Sequence, residues 1–380
     1  MNTEENKGGM GKWIAGVLII VVVILIITFS KSGSNTIKIG ALYPLTGGLV
    51  TYGEPAQKSA KMAVDEINNA GGINGQKLEI NYQDHKCDPK TAVAAFQQLN
   101  SADGIKVFTS AACTGTAAGI APTLKNNNAV FVSDVLSGAK ITGISPFIFR
   151  NWASDLNESR LFALKIKEAG YKKVAVIYEE TDYAKGIKIN LENFLKDSGV
   201  NVVAESFATG VTDVRTQLTK LKVEKADVLL ISPQTVTSAE VVLKQMEDIN
   251  FRTKLLLNDN VIISKDLILK HKDILEGALG ANFVAGSSTK TAEVLKKYKD
   301  TYGQDCPQTT VCVYTYDTIH LLADAIKVNG YDVEKIKNYL NSNSYEGIAG
   351  TISFDEKNDR KNADYTLFLV ENGVAKAVEK

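Results

Sequence analysis

The sequence predicts an α/β protein built from two doubly wound, Rossmann-like lobes with mainly parallel sheets. The chain has 380 residues, which suggests two domains at about 150 residues per domain. Short stretches rich in Val, Ile and Leu alternate regularly with helix-like stretches, a pattern typical of βαβ units. The alternation runs through two series of about five strands each, so we expect two sheets, each large enough to bury its own core.

The first series follows a linker at residues 31–35. We expect Pro55 to lie in the first turn of a helix that ends at Gly71 and Gly72, and Pro89 to open the next helix. The predicted strands are 37–43, 78–83, 105–110, 129–134 and 147–150, and the predicted helices are 54–70, 89–101, 115–127 and 155–169.

The second series has the same architecture and leads into a helical segment. Its predicted strands are 173–179, 201–207, 227–232, 254–258 and 278–284, and its predicted helices are 183–198, 211–224, 237–249 and 264–271. Further helices are predicted at 289–302, 310–328 and 332–342. The chain ends in the extended segments GTISFDEK and DYTLFLVENGVAKAV, where ENG predicts a turn between two final strands.

Residues 13–30 are predicted to form an uncleaved signal-anchor. Their uncharged stretch WIAGVLIIVVVILIITF lies between Lys12 and Lys31, and at about 1.5 Å per helical residue it just spans a hydrocarbon core of about 30 Å. A cleaved leader is the alternative, but leaders usually have a shorter apolar core and a small-residue cleavage site, which SKS matches poorly. The basic residues favour a cytoplasmic tail at 1–12, so we expect a single-pass protein of the cell membrane with its bulk on the extracytoplasmic side.

Composition and motifs exclude several classes of function. Lys plus Arg and Asp plus Glu both number 43, and no block of like charge could follow a phosphate backbone, so nucleic acid is not an expected partner. Nucleotide-binding glycine motifs and the G-x-S-x-G elbow are absent from the sequence. Asp84 with Asp88, and Asp355 with Asp359, could form cation loops, but solvated turn carboxylates are the favoured interpretation. We predict no cofactor, no metal and no catalytic residue.

The four cysteines, Cys87, Cys113, Cys306 and Cys312, all follow the predicted anchor. An oxidising compartment would favour disulfides among them. Cys113 could instead be a reactive thiolate at a helix N-terminus, although no partner base is evident. The six-residue separation of Cys306 and Cys312 is compatible with a local disulfide, and two unpaired thiols are the alternative.

Five strand-to-helix turns rich in hydroxyl groups, Gly and Tyr are candidate ligand-binding segments. In open α/β sheets, ligands bind beyond the carboxyl ends of the strands. Helix starts at Gly115 and near Gly138 would offer free N–H groups to an anion, although Thr114 and Ser137 could simply be helix caps. Five such turns in two lobes favour a ligand cleft. They are YPLTGGLVTYG at 43–53, ACTGT at 112–116, SDVLSG at 133–138, EETDYAKG at 179–186 and NDN at 258–260.

These segments resemble the type I periplasmic binding proteins, specifically the branched-chain amino acid (leucine/isoleucine/valine-binding) group that serves ABC importers. The matching stretches are IKIGALYPLTGGLVTYG, AVDEINNAGGINGQKLEINYQDHKCDPKTAV, YAKGIK and GTISFDEKNDRKN. The resemblance implies a monomer with a three-stranded hinge that closes over a free amino acid and delivers it to a membrane permease. Lobe 1 would comprise 36–154 and 282–355, and lobe 2 would comprise 155–281 and 356–380.

The resemblance also implies how the ligand is held. Thr114 and Ser137 would bind its α-carboxylate through hydroxyl and backbone N–H groups. The Val135 carbonyl, the Ser137 hydroxyl and Asp259 would receive its α-ammonium. The family often has Glu at the position of Asp259, so other amino acids, amides or small carboxylates remain open as ligands.

Four further positions match cleft residues of the family. Tyr52 and Tyr183 would close over the ligand from opposite lobes. Thr46 and Leu136 would line the cleft.

Two rival functions remain open at this point. A ligand-sensing ectodomain of the same fold would need a cytoplasmic output module, for which this sequence offers only about a dozen residues before the anchor. An enzyme would use Cys113 or Asp259 as its working group. The resemblance, however, implies a disulfide between Cys87 and Cys113, which would remove that nucleophile and contribute about 3–4 kcal/mol of stability.

Overall fold

The computed structural model describes residues 36–286 and 288–378. The predicted tail, signal-anchor and linker, residues 1–35, lie outside this part of the chain. None of the helices in the described residues combines the length and apolar character that a bilayer crossing requires.

The first sheet has five parallel strands in the order β2-β1-β3-β4-β5. The strand order reverses between β1 and β3, and a crevice forms beyond the carboxyl ends of the strands at such a switch point. The strands are β1 (Thr36–Tyr43), β2 (Lys77–Asp84), β3 (Val107–Ala111), β4 (Val130–Val135) and β5 (Ile148–Arg150), connected by helices α1 (Val50–Asn69), α2 (Pro89–Gln97) and α3 (Thr114–Ile120).

The second sheet has seven strands in the order β14-β13-β10-β9-β8-β6-β7. Its strands are β6 (Lys173–Glu179), β7 (Asn201–Phe207), β8 (Val228–Ser232), β9 (Lys254–Leu257), β10 (Leu279–Asn282), β13 (Thr366–Glu371) and β14 (Val374–Ala377). Its helices are α4 (Asp155–Glu168), α5 (Asp182–Leu195), α6 (Arg215–Val223), α7 (Val236–Asp248), α8 (Asp259–Ile262), α9 (Lys265–Lys270) and α10 (Lys272–Leu275).

The second sheet exceeds the predicted five strands because the C-terminal hairpin pairs antiparallel with β10. The predicted turn of this hairpin is confirmed. Asn372 and Gly373 both have positive φ, 54° and 74°, as a two-residue hairpin turn of this kind requires.

The remaining helices return to the first sheet. They are α11 (Thr289–Tyr302), α12 (Thr309–Asn329) and α13 (Val333–Ser342), followed by the short pair β11 (Tyr345–Gly347) and β12 (Gly350–Ile352). Helix α12 packs against α1 and β4, and the Ser59 hydroxyl donates to the Cys312 carbonyl at 2.5 Å. Within the described residues the chain therefore passes between the two sheets three times, after β5, after β10 and before β13. The lobe boundaries implied by the resemblance stay a prediction.

The central strands of the second sheet, β6, β8 and β9, are buried on both faces, as parallel strands flanked by helices usually are. Val174 and Val176 of β6 pack into one hydrophobic core, which is continuous with that of the first sheet. The alternate residues Ala175 and Ile177 pack into a second core. The predicted α/β class with mainly parallel sheets is confirmed.

Several predicted helix boundaries are wrong, and two of these errors involve proline. Helix α1 begins at Val50, one turn before the predicted start, so Pro55 lies inside the helix rather than in its first turn. Helix α3 ends at Ile120, because a 3₁₀ turn that contains Pro122 follows it, and proline cannot donate the N–H that would continue the helix. The short strand β11 was not predicted.

Candidate functional site

The carboxyl ends of the strands in the two sheets meet around a small cavity. The space open to the centre of a water molecule is about 50 Å³, which corresponds to roughly four water molecules, or a ligand of roughly 100–150 Å³. The cavity is lined by Leu49, Tyr52, Ala112, Cys113, Thr114, Val135, Ser137, Trp152, Tyr183, Gln234, Asp259, Asn260, Ile263, Asn282, Phe283, Gln308, Thr310 and Val311.

The structure brings six of the eight predicted ligand-binding residues to this lining. It does not bring Thr46 or Leu136 there. The Thr46 hydroxyl donates to Asp84 Oδ2 at 2.5 Å, and Leu136 is buried in the core of the first sheet. The six residues in the lining are Tyr52, Thr114, Val135, Ser137, Tyr183 and Asp259.

The ACTGT segment forms a disulfide-bonded loop at the start of α3. Cys113 is bonded to Cys87, as the resemblance implied, so it is not a free nucleophile. Ala112 and Cys113 both have left-handed backbones, with φ of 59° and 66°; non-glycine residues rarely adopt this conformation, and it concentrates at functional sites. This turn lets α3 begin at Thr114, and the first N–H groups of a helix have no acceptor within that helix.

Neither Thr114 nor Ser137 acts as a helix cap. Cys113 is the N-cap residue of α3 and Gly138 that of the 3₁₀ turn at 139–141, and neither cap has a side-chain hydrogen bond. The interpretation of these two hydroxyl groups as simple caps is therefore wrong. Both hydroxyl-bearing residues instead lie against the cavity.

The loop after β4 is held tightly from behind the cavity. The Arg150 guanidinium donates to the Ser137 and Gly138 carbonyls, both at 2.9 Å, and pairs with Asp359 at 2.5 Å. Gly138 also packs on Thr114, since a Cβ at position 138 would lie 2.0 Å from Thr114 Oγ1. Only glycine allows the two loops to approach so closely.

Asp259 is the acidic group of the lining and begins helix α8. Its Oδ1 accepts hydrogen bonds from the Tyr183 hydroxyl and from the Asn260 N–H, the latter at 2.7 Å. Its Oδ2 accepts no hydrogen bond from the residues that the structure describes. Burial raises the pKa of Asp259 to about 6, so near neutral pH it is an ionised carboxylate with one oxygen available to a ligand.

Two further acids lie directly behind Asp259. Glu158 Oε1 accepts the Asp259 N–H at 2.9 Å, and Asp155 Oδ1 accepts the Tyr365 hydroxyl at 3.0 Å. Burial, followed by the charge of Asp259, raises the pKa of Asp155 to about 8 and that of Glu158 well above its usual range. Neither residue was predicted from the sequence, because acids in the first turn of α4 are ordinary on a solvated helix.

Hydrogen bonds and ion pairs join the two sides of the cavity. The Tyr52 hydroxyl donates to Asn260 Oδ1 at 2.5 Å. At the rim, Lys140 Nζ lies 3.2 Å from both carboxylate oxygens of Asp182. The structure therefore shows the two lobes in contact across the cleft.

Aromatic side chains from the crossovers form an apolar wall. The Trp152 ring lies 5.1 Å from that of Phe283 and 5.4 Å from that of Tyr314. Trp152 follows β5 and Phe283 follows β10, and both line the cavity. An aromatic residue within two positions of the end of each of these strands is a signal in the sequence, but it did not contribute to the prediction.

The second disulfide holds a loop that reaches the cavity. Cys306 is bonded to Cys312, so the alternative of two free thiols is wrong. Between them, Gln308, Thr310 and Val311 contribute to the lining.

The described residues contain no group of three or more His, Cys, Asp or Glu side chains that could hold a metal ion. The two acidic segments considered as cation loops are turns instead. Asp84 accepts the N–H groups of Leu45 and Lys86, and Asp355 accepts those of Lys357 and Asp359.

A small cavity between two α/β lobes, lined by hydrogen-bonding groups and one carboxylate, is typical of proteins that bind a small polar solute. The chain belongs to the periplasmic binding protein family, which matches residues 36–375. Membership of this family makes it a ligand-binding protein rather than an enzyme.

Relatives and solved structures agree with this assignment. The leucine-, isoleucine-, valine-, threonine- and alanine-binding protein of Pseudomonas aeruginosa is 27% identical over 344 residues, which cover 88% of this chain and 90% of that protein. Two solved structures share the fold. The Streptococcus pneumoniae branched-chain amino acid binding protein LivJ, in complex with isoleucine, has a TM-score of 0.75 at 24% identity and covers 91% of this chain and 100% of its own. An R. palustris solute-binding protein in complex with 4-hydroxybenzoate has a TM-score of 0.78 at 21% identity, with coverages of 90% and 96%.

Proposed function

We propose that this protein is the extracytoplasmic binding component of an ABC importer and that it captures a small, branched-chain-like amino acid by hinge closure. The observation that supports this most directly is the polarity of the cavity. Hydroxyl groups come from lobe 1 at Thr114 and Ser137, together with the N–H groups at the start of α3, and a buried carboxylate comes from lobe 2 at Asp259. A free amino acid needs donors for its carboxylate and an acceptor for its ammonium.

The energetics of burial favour such a pairing. A buried charge that lacks a partner costs several kcal/mol, whereas a paired and hydrogen-bonded charge does not. Thr114 is 2% exposed and Asp259 is 8% exposed, so a ligand that meets both is removed from water at both ends. The Trp152 and Phe283 wall would then receive an apolar side chain, and the cavity volume suits a ligand of this size.

The cellular setting of this proposal comes from residues outside the described part of the chain. Residues 13–30 would tether a monomeric binding domain to the outer face of the cell membrane, close to the permease that it serves. Residues 36–154 with 282–355, and 155–281 with 356–380, would form the two lobes that rotate about the crossovers.

A small aromatic carboxylate is a second candidate ligand. The R. palustris neighbour is in complex with 4-hydroxybenzoate, and the aromatic wall of this cavity could pack against a ring. Asp259 argues against it, since a buried carboxylate would face an anion that has no ammonium group.

A thermal-shift panel of the full-length chain against all amino acids, common amides and small carboxylates tests both candidates. A ligand at 100 times its dissociation constant adds about 2.7 kcal/mol to the free energy of unfolding. We expect a clear shift with one or a few aliphatic amino acids. No shift with any amino acid would refute the proposed ligand class, and a shift with benzoates alone would establish the second candidate.

A further inference from the structure

We propose that Asp155 and Glu158 are positioning residues that make the cleft selective for a ligand with an ammonium group and couple the binding of that ligand to the release of a proton. This inference rests on the proposed function. It concerns two side chains that lie behind the cavity lining and act through Asp259.

The three carboxyl groups share one dry region. Asp155 is 1% exposed and Glu158 is fully buried, and Glu158 is hydrogen-bonded to the backbone of Asp259. Asp155 Oδ2 and Glu158 Oε2 have no hydrogen-bond partner among the residues that the structure describes. Asp259 is the member of the cluster that reaches the cavity.

No protein cation neutralises this cluster. In the described part of the chain, none of the three carboxyl groups forms an ion pair. Arg150 is the basic group that faces Asp155, but its guanidinium is already bound to Asp359 and to two carbonyls. The titratable groups that face the cluster are Arg150 from β5, Tyr52 from α1, Tyr183 from α5 and Tyr365 from the third crossover.

The neighbouring tyrosines cannot compensate a negative charge on the three carboxyl groups. Burial raises the pKa of Tyr52, Tyr183 and Tyr365 above the usual range, so each is a neutral hydrogen-bond donor. Three buried carboxyl groups this close cannot all be ionised. Asp259 is the member best placed to carry a charge, because it lines the cavity and its Oδ1 accepts two hydrogen bonds.

An ammonium group that docks against Asp259 changes this balance. Its positive charge favours the ionised form of the neighbouring carboxyl groups, so one carboxyl proton leaves to the solvent while the ammonium keeps its own protons. By linkage, the dissociation constant then falls about tenfold per pH unit for each proton released. A bound anion such as a benzoate would have the opposite effect, because it favours the protonated form of the acids.

Isothermal titration calorimetry of the full-length chain tests this inference, with L-leucine and 4-hydroxybenzoate as probes between pH 5 and 8. Measurements in two buffers of different ionisation enthalpy count the protons exchanged. For leucine we expect release of about one proton or less near neutral pH, and an affinity that rises with pH.

Substitutions separate the positioning role from a purely structural one. E158Q keeps the hydrogen bond from Asp259 but cannot ionise. We expect it to bind leucine as the native protein does at pH 5, to bind about tenfold more weakly at pH 8, and to release fewer protons. D155N should act in the same direction. E168Q is the matched control, because Glu168 is exposed at the other end of α4, and its pH profile should be unchanged.

The outcomes are distinguishable. Leucine binding with no proton release and no pH dependence would overturn this inference and leave the proposed function standing. Binding of 4-hydroxybenzoate without any amino acid would refute the proposed function instead. In that case the inferred selectivity for an ammonium group is refuted together with the proposed function.

Discussion

Replacement of Asp259 by Asn should separate ligand affinity from the stability of the protein without ligand. The asparagine Oδ1 can still accept the hydrogen bonds from Tyr183 and the Asn260 N–H. Its Nδ2 would replace the carboxylate oxygen that is available to a ligand, so an ammonium group would meet a donor instead of a negative charge. A hydrogen bond to a charged group contributes about 1.5–3 kcal/mol, so we expect the affinity for an amino acid to fall about 10- to 150-fold.

The stability of the unliganded variant should move in the other direction. Burial raises the pKa of Asp259 to about 6, which means that its ionised form is disfavoured in the folded protein. At pH 7.5 the substitution removes the free-energy cost of the buried ionised carboxylate, so the midpoint of thermal unfolding without ligand should stay equal or rise.

Calorimetric titration at pH 7.5 measures the affinity, and thermal unfolding without ligand measures the stability. D266N is the matched control, because Asp266 is exposed on α9 and does not line the cavity. If D259N binds the same amino acid within threefold of the native protein, the assignment of Asp259 to the ammonium is wrong. If D259N instead unfolds at a much lower temperature than the native protein, the Asp259 carboxylate is required for the stability of the fold without ligand.

Three other predictions address the loops and the buried acids. G138A should weaken ligand binding at least tenfold and lower the free energy of unfolding by about 1–3 kcal/mol, because its methyl group overlaps the threonine hydroxyl at the start of α3. G186A is the control and should not weaken binding, because a Cβ at that position meets open space. Removal of the Cys87–Cys113 disulfide by a double serine substitution should lower the free energy of unfolding in urea by about 3–4 kcal/mol, and an unchanged midpoint would contradict this. The pKa values of the buried carboxyl groups are raised, so the folded protein binds more protons than the unfolded chain. As the pH rises from 4 to 8, the free energy of unfolding without ligand should therefore fall, by up to about 1.4 kcal/mol per pH unit for each such group. D155N should flatten this slope, which urea unfolding at several pH values would show.

Much of the fold followed from local patterns in the sequence. The second-series strand from Lys173 to Glu179 was predicted at its observed boundaries, because an uninterrupted apolar run between helix-like segments is typical of a buried parallel strand. Pro55 was misplaced because proline is common in the first turn of helices. The additional turn before it depends on the contact of Gly53 with Pro44, which no local pattern reveals.

Some residues of the candidate site could likewise be predicted from the sequence, and others could not. Thr114, Ser137 and Asp259 stand in turns directly after strands, so their place at one edge of a sheet could be predicted from the sequence. Asp155 and Glu158 could not, because their burial depends on Tyr365 and Asp259, which lie 210 and 101 positions further along the chain. Whether a first-turn acid is solvated or buried is decided by tertiary packing alone.

The contacts of Arg150 have a consequence for the order of events during capture. Asp359 pairs with Arg150 at the end of β5, so it lies on the first-sheet side of the cleft although the predicted lobe 2 includes residues 356–380. The contacts of Arg150 with Asp359 and with the Ser137–Gly138 loop therefore need nothing from the opposite lobe. Opening of the cleft would break the contact between Tyr52 and Asn260 but would leave this assembly intact. The Ser137–Gly138 loop would therefore be preformed on lobe 1 when a solute arrives. We expect the carboxylate of the solute to bind there first, before lobe 2 brings Asp259 to its ammonium group.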